Sequence, residues 1–314
     1  MLGRTAASLF WMSRQIERAE NISRLTEVGY RISLTPDPAF GHREDWKSTL
    51  TAAGCLDPFL AKYGEVKSEK VPHFLLFDPS NPSSVRSCLE LARNNARAVR
   101  TALTREMWEA LNSTWIEFSA VRPADLNSGK LPGFLDWVRQ RSALFRGSML
   151  GTLLRDEGYF FSQLGAFIER GDNTARILDV KYYVLLPSNE NAGGESDAFQ
   201  WETILRSVSA HRSYRHVYKD RYRPSNVAEF LILRPEMPRS LRFCHDWIDR
   251  SLAGLEILTS FRGKSADKSS ILYEELKSRS MDSIFRSGLH EFLTHFLIQN
   301  NHVSSAIAED FHFL

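Results

Sequence analysis

The stretch that decides the fold is LFWMSRQIERAENISRLTEVGY, from Leu9 to Tyr30. The chain contains it a second time as FSQLGAFIERGDNTARILDVKY, from Phe161 to Tyr182. The charged residues from Glu17 to Glu27 match those from Glu169 to Asp179 at a constant offset (169 − 17 = 152), with no gap. Neither copy contains proline, and apolar residues recur at intervals of three and four, which predicts a helix for each copy.

The matched positions form a polar stripe along each predicted helix. The stripe consists of Glu17, Arg18, Glu20, Asn21 and Arg24 in the first copy, and of Glu169, Arg170, Asp172, Asn173 and Arg176 in the second. Successive residues of a helix turn by about 100°, so Glu17, Asn21 and Arg24 fall within roughly 60° of one another. Apolar residues cover most other faces, and such a helix is usually buried. The stripe is therefore expected inside the protein or along a cleft.

Two interpretations of the stripe remain open. It is either a structural network, in which buried charges neutralise one another, or a site for a carboxylate, an amine or a phosphate. Glu17 and Arg24 are about 10 Å apart along one helix axis, too far for an easy pair within that helix. If the two helices run antiparallel, Glu17 would meet Arg176 and Glu169 would meet Arg24.

The repeat is wider than the opening helix. WETIL at Trp201 resembles WKSTL at Trp46, and FLILRPEMPRSLRFC at Phe230 resembles FLLFDPSNPSSVRSC at Phe74, with offsets of 201 − 46 = 155 and 230 − 74 = 156. The order of the segments is kept, which favours tandem duplication. We therefore expect an all-α helical bundle of two halves, residues 1–152 and 153–314, related by a pseudo-two-fold axis. Their Glu-Arg helices, 9–30 and 161–182, are expected to share the core of one compact domain.

The remaining segments read as helices joined by polar loops. Helices are expected from the N-terminus to about Leu34, from about Arg43, after Pro82, from Thr104, and from Phe134 to about Leu154. Loops are expected at Pro123 to Gly133, at Ser188 to Asp197 and, as a polar linker, at Phe261 to Ser270. The middle one is rich in glycine and amides and is predicted to be mobile.

Composition excludes several classes of function. The net charge of +2 gives no case for nucleic acid or an anionic membrane surface as a partner. Cys55, Cys88 and Cys244 have no CxxC spacing, which indicates a reducing compartment and no disulfide framework. No apolar run reaches the length of a signal peptide or a membrane span. A soluble cytoplasmic protein is the expectation, and the sequence does not define its oligomeric state.

Few residues form a recognisable chemical motif. HEFLTH, from His290 to His295, separates its histidines by about 140° around a helix, so they cannot chelate one ion from one face. The arginines of the stripe would repel a cation from its carboxylates, and no metal or cofactor is predicted. Arg93, Arg97 and Arg100 share one helical face and, with a second basic segment from His211 to Arg223, could bind an anion; a solvated face is the alternative. No nucleophile and base occur at a recognisable spacing.

The repeated Glu-Arg helices resemble those of the alpha-E domain family. The similarity extends to ARNNARAVR, TREMWEALN, PRSL and GLHEFL, so it covers nearly the whole chain. One departure is Ala166, which stands where the first copy has Arg14. The resemblance implies an all-helical protein of bacterial type without an established activity. It also implies an association with a circularly permuted ATP-grasp protein and a transglutaminase-like peptidase, because members tend to be encoded beside or fused to these.

Two functions are consistent with the sequence. One is a helical accessory or substrate-presenting protein that works with an ATP-grasp-type carboxylate–amine ligase and the peptidase in peptide or amide-bond formation. The other is an enzyme or ligand-binding protein with a polar site between the two Glu-Arg helices, in which Glu17 or Glu169 would act as general base. A cleft that reaches both glutamates from solvent would favour the second function.

Overall fold

The structure is a computed structural model that describes residues 1–34, 42–126, 129–185, 195–219 and 222–313, without the side chains of 42–45, 180–185 and 195–200. The predicted all-α class is confirmed, since these residues form helices and turns and no strand. The first half contains α1 (Gly3–Ser33), α2 (His42–Ala52), α3 (Leu56–Tyr63), α4 (Val71–Leu76), α5 (Val85–Ala98), α6 (Arg105–Ala120) and α7 (Leu131–Thr152). The second contains α8 (Glu157–Leu185), α9 (Glu195–Ser207), α10 (His211–Tyr218), α11 (Pro224–Ile232), α12 (Leu241–Thr259), α13 (Lys264–Ser278), α14 (Met281–Ser287) and α15 (Leu289–Asp310).

Helices α1 and α8 are the two Glu-Arg helices, and they run side by side in the same direction. Gly165 of α8 packs on Phe10 of α1, so closely that a Cβ atom at Gly165 would lie 2.1 Å from the Phe10 carbonyl oxygen. Further along both helices, Arg14 and Asn21 donate hydrogen bonds to Glu169. The antiparallel arrangement considered from the sequence is therefore wrong, because later residues of α8 lie beside later residues of α1.

Both Glu-Arg helices are buried on nearly every face. In α1 the buried set includes the apolar Leu9, Met12 and Ile16 and also the charged Glu17 and Glu20. Helices α5, α7 and α2 pack on α1, while α12, α15 and α2 pack on α8. Most residues of the polar stripe are buried with these helices, whereas Arg18 and Arg176 are half-buried.

The apolar core crosses the boundary between residues 152 and 153. One cluster joins Leu9 and Phe145 with Phe161, Ile168 and Val303, so it draws side chains from both sequence halves. A second cluster surrounds Trp201 and Phe230. The division into two halves and their relation by a pseudo-two-fold rotation stay predictions.

Side-chain caps set the beginnings of several helices. The Thr104 hydroxyl accepts a hydrogen bond from the Met107 backbone N–H, so the start predicted for α6 is confirmed. Helix α5 begins after Ser84, and α12 begins after Ser240, each of which caps its helix in the same way.

Two predicted loops are shorter in the structure. Helix α7 begins at Leu131 rather than Phe134, since Pro132 is compatible with a first helical turn. The polar linker predicted from Phe261 to Ser270 is wrong beyond Gly263, because α13 begins at Lys264. Asp310 accepts a hydrogen bond from the Ser265 backbone N–H there, and Ser265 and Ser269 continue the buried face.

Two predicted segments lie partly or wholly outside the residues that the structure describes. Of the mobile loop predicted from Ser188 to Asp197, residues 188–194 are outside the described residues, and residues 195–197 belong to α9. Pro36 and its neighbours are also outside the described residues. Helix α3 was not separately predicted; Gly54, with φ +66°, separates it from α2. Among the described residues, no helix combines the length and apolarity needed to cross a bilayer.

Candidate functional site

The glutamates of the repeated motif are joined to the arginines of the opposite helix by two reciprocal salt bridges. Arg170 donates from Nε to Oε1 of Glu17 at 3.0 Å and from Nη2 to Oε2 at 2.9 Å. Arg18 donates in the same manner to the two oxygens of Glu169, at 2.6 and 2.8 Å. Each pair is bidentate, the geometry in which guanidinium and carboxylate bind most strongly.

The second carboxylate of each copy pairs within its own helix. Arg24 donates to Glu20 at 2.7 Å, and Arg176 donates to Asp172 at 2.6 Å, each one turn away. The predicted pairs Glu17–Arg176 and Glu169–Arg24 are therefore wrong. Because the helices run parallel and in register, each glutamate faces Arg18 or Arg170, and the distant arginines remain beside their own helical neighbours.

Three further arginines complete the network. Arg14 of α1 donates to Glu169 at 2.8 Å. Arg146 of α7 bridges Glu17, at 3.1 Å, and Glu20. Arg239, in the turn before α12, bridges the same two glutamates.

These three arginines differ in how far they could be predicted from the sequence. Arg14 was visible through the family resemblance. Arg146 carried no signal, because nothing local to α7 shows which helix it faces. Arg239 could have been found, since the repeat places Ser83 opposite it (239 − 83 = 156) and the two residues differ in charge.

The arginines keep the buried carboxylates ionised. Burial alone would raise the pKa of Glu17, but the adjacent Arg170, Arg239 and Arg146 outweigh it and lower the pKa to about 2. Burial would also raise the pKa of Glu20, but Arg239 and Arg24 outweigh it and hold this pKa well below its ordinary value. Carboxylates with such low pKa values are weak proton acceptors near neutral pH.

The cysteines beside this network are buried thiols. Burial raises the pKa of Cys244 to about 12 despite the neighbouring Arg170, and it raises the pKa of Cys88 despite Arg18. Burial likewise raises the pKa of Cys55 to about 11. Since the thiolate is the reactive form, none of these thiols is activated as a nucleophile.

A cavity of about 240 Å³ opens at one side of the network. It is lined by the α8 half of the predicted stripe with part of α1, namely Arg18, Asn21, Glu169, Asp172, Asn173 and Arg176, and by Ile22, Leu25, Ala53, Gly54 and Ser83. The side chains of Arg18 and Arg176 are 26% and 33% exposed, so solvent reaches this cavity. Glu17 does not line it.

One polar side chain of the cavity lacks a partner. Asn173 is only 3% exposed, yet neither Oδ1 nor Nδ2 of its amide has a hydrogen-bond partner among the described residues. Its counterpart in the repeat, Asn21, donates to the Glu169 carbonyl oxygen and accepts from Arg239. A buried amide without a partner costs about 1–3 kcal/mol, so Asn173 marks a place suited to an additional hydrogen-bonding group.

The other candidate residues lie apart from this cavity. Arg93 donates to Asn112 at 2.9 Å, the Arg100 guanidinium stacks on Trp108, and Arg97 is exposed. In the HEFLTH segment His290 pairs with Asp179, whereas His295 lies 3.7 Å from Glu275. The histidines thus face different partners, and the described residues contain no group of three side chains placed to hold a metal ion.

The fold and the site define a class of all-helical proteins in which two Glu-Arg helices pair through reciprocal salt bridges. The chain belongs to the Alpha-E family, whose model is described as "a predicted alpha-helical domain with a conserved ER motif" and matches residues 1–312. The family resemblance seen in the sequence is thereby confirmed. Comparisons with curated proteins and with solved structures give no match.

Proposed function

We propose that this protein is a non-catalytic helical accessory protein, located in the cytoplasm, that works with an ATP-grasp-type carboxylate–amine ligase and a transglutaminase-like peptidase. The observation that supports a non-catalytic role is the state of the motif. Each of Glu17, Glu20 and Glu169 is held by at least two arginines and has a lowered pKa. The motif therefore acts as a scaffold that fixes α1 against α8.

The enzyme alternative assigns general-base catalysis to Glu17 or Glu169. Glu17 is 1% exposed and forms ion pairs with three arginines, so a substrate would have to displace a guanidinium before reaching it. Glu169 lines the cavity, but both of its oxygens already accept from Arg14 or Arg18. The geometry thus favours support and recognition over proton transfer.

The partners in this proposal come from the family resemblance. ATP-grasp enzymes join a carboxylate to an amine at the expense of ATP, so a helper protein would hold or present one of the two reacting molecules. A rigid helical body suits this task, since a network of buried ion pairs fixes the positions of the surrounding helices.

The test is co-elution with the ligase encoded nearest to this gene in its host. The purified proteins, mixed at micromolar concentration, are expected to elute together from a sizing column, and this protein should raise the rate of amide-bond formation. Two independent peaks with an unchanged rate would overturn the proposal.

The Glu17→Gln variant separates scaffold from catalysis. If Glu17 is a scaffold residue, Glu17→Gln should lower the melting temperature, and the variant that remains folded should still assist the ligase. If Glu17→Gln melts normally and yet abolishes the ligase-dependent reaction, the glutamate belongs to a catalytic site.

A further inference from the structure

The two halves of the sequence differ in charge at one position beside the network. Arg239 directly precedes Ser240, the cap of α12, and Ser83 directly precedes Ser84, the cap of α5. The offset of 156 is the one that aligns Phe74 with Phe230. An arginine in one half therefore corresponds to a side chain too short to reach the same depth in the other.

Arg239 serves three acceptors of α1. Its guanidinium forms an ion pair with Glu17 Oε1 at 3.1 Å, and it donates hydrogen bonds to Glu20 Oε1 and, in a long contact of 3.5 Å, to Asn21 Oδ1. The side chain of Arg239 is 8% exposed. One planar cation thus satisfies two carboxylates and an amide on consecutive helical turns.

The counterparts of these three acceptors all line the 240 Å³ cavity next to Ser83. Among the described residues, Glu169 Oε1 accepts a hydrogen bond from Arg18 alone, whereas Glu17 Oε1 accepts one from Arg170 and also forms an ion pair with Arg239. Asp172 has Arg176 as its one described ion-pair partner, and Asn173 Oδ1 has no partner. The acceptors remain, and the group that serves them in the other half is missing.

The two groups of charges around the repeated motif differ by one arginine. Four arginines (Arg24, Arg146, Arg170 and Arg239) surround Glu17 and Glu20, an excess of 4 − 2 = 2 positive charges. Three (Arg14, Arg18 and Arg176) surround Glu169 and Asp172, an excess of 3 − 2 = 1. Two carboxylates of this fold therefore hold four guanidinium groups in the first group and three in the second.

We propose that the cavity is a binding site for the guanidinium group of a ligand, which takes the position that Arg239 occupies in the other half. Asp172, Asn173 and Glu169 accept its hydrogen bonds. A guanidinium fits better than an ammonium because its planar fork can serve several acceptors at once. The volume far exceeds the roughly 10–15 Å³ that one water molecule needs, so a ligand chain can follow the group inside.

Calorimetric titration with agmatine, a guanidinium compound without a carboxylate, tests the proposal. One agmatine is expected to bind per chain, whereas urea, which is planar and neutral, and acetate, which is an anion, are not. Absence of binding by agmatine, or binding by acetate instead, would overturn the assignment. The titration uses the isolated protein, so its failure is independent of whether a ligase binds.

Two variants of Ser83 locate the site. Ser83→Arg should fill the cavity with the protein's own guanidinium, raise the melting temperature and weaken agmatine binding at least about tenfold, or 1.4 kcal/mol. The matched control Ser83→Ala leaves the cavity open and should bind agmatine like the native chain. Equal affinity in Ser83→Arg and Ser83→Ala would show that agmatine binds elsewhere.

A variant in the other half gives an independent test. Arg239→Ser should open a second cavity of the same chemistry beside Glu17 and Glu20, so agmatine should raise its melting temperature more than that of the native chain. Asp172→Asn, which keeps the shape and removes the charge, should weaken agmatine binding at least about tenfold. An agmatine affinity unchanged in Asp172→Asn would refute the role of this carboxylate.

Discussion

At the level of single residues, the Glu-Arg motif is a set of buried charges whose stability depends on completeness. Glu17 and Arg170 are nearly inaccessible and bind each other through two hydrogen bonds. The net contribution of such a pair is small, because desolvation offsets much of the attraction. Removal of one partner is costly, because the other charge stays buried.

We expect Glu17→Gln to lower the free energy of unfolding by about 3–5 kcal/mol, the usual effect of leaving a buried arginine without its carboxylate. The measurement is denaturant unfolding followed by circular dichroism. Adding Arg170→Met should recover part of the loss. Glu109→Gln is the matched control, since Glu109 pairs with Arg105 at the surface and should contribute at most about 1 kcal/mol.

The same carboxylates predict a loss of stability in acid. The pKa of Glu17 falls from 4.5 to about 2 on folding, because the arginines outweigh its burial. Its stabilising contribution is therefore complete above pH 4.5 and is lost as the pH falls from there towards 2. Unfolding free energies measured across this window should decrease steeply for the native chain and less for Glu17→Gln. Parallel profiles for the two proteins would assign the acid sensitivity to other groups.

At the level of helices, the sequence predicts the elements well and their pairing poorly. Periodicity and caps located α1, α6 and α8, because these signals are local. The relative direction of two packed helices is harder to predict, because the periodicity of one helix does not show whether its partner runs parallel or antiparallel to it. The spacing of Glu17 and Arg24 suggested antiparallel helices, and the close approach at Gly165 shows the parallel arrangement instead.

Gly165 permits that close approach, so we expect Gly165→Ala to destabilise the protein by about 1–3 kcal/mol. Its new Cβ would lie 2.1 Å from the Phe10 carbonyl oxygen, and a backbone atom cannot move aside as a flexible side chain can. Gly147→Ala in α7 is the matched control. Apart from its chain neighbours and the nearby backbone of its own helix, no described residue has an atom within 4 Å of the added Cβ, and alanine should stabilise this helix by up to about 1 kcal/mol. Equal melting temperatures for the two variants would contradict the close contact.

For the whole molecule, the sequence predicted the class and the family, whereas the cavity required coordinates. The Glu-Arg repeat and the difference between Ser83 and Arg239 can both be recognised in the amino-acid sequence. That Asp172 and Asn173 face an open space could not be predicted, since the turn before α5 and the end of α2 meet there only in the fold. The contribution of Arg146 was hidden for the same reason.

The contacts across the middle of the chain predict that neither half folds alone. Cutting between residues 152 and 153 would separate Glu17 from Arg170 and Glu169 from Arg18, and it would divide the apolar cluster that joins Phe145 with Phe161. Each fragment would expose apolar surface that the other half covers, at about 25 cal/mol for each Å² returned to water, and it would lose the ion pairs that join α1 to α8.

We therefore expect residues 1–152 and 153–314, produced separately, to lack a cooperative thermal transition. Mixing or co-expressing them should restore a helical complex, because each fragment supplies the counter-charges of the other. Circular dichroism of the single fragments and a sizing column for the mixture are the measurements. Arg170→Met in the second fragment should weaken the complex more than Arg250→Met, since Arg250 is exposed and its one partner among the described residues is Asp246, one turn away. A fragment that melts cooperatively by itself would show two independent domains, and the ion pairs between α1 and α8 would then be contacts between finished structures rather than part of one core.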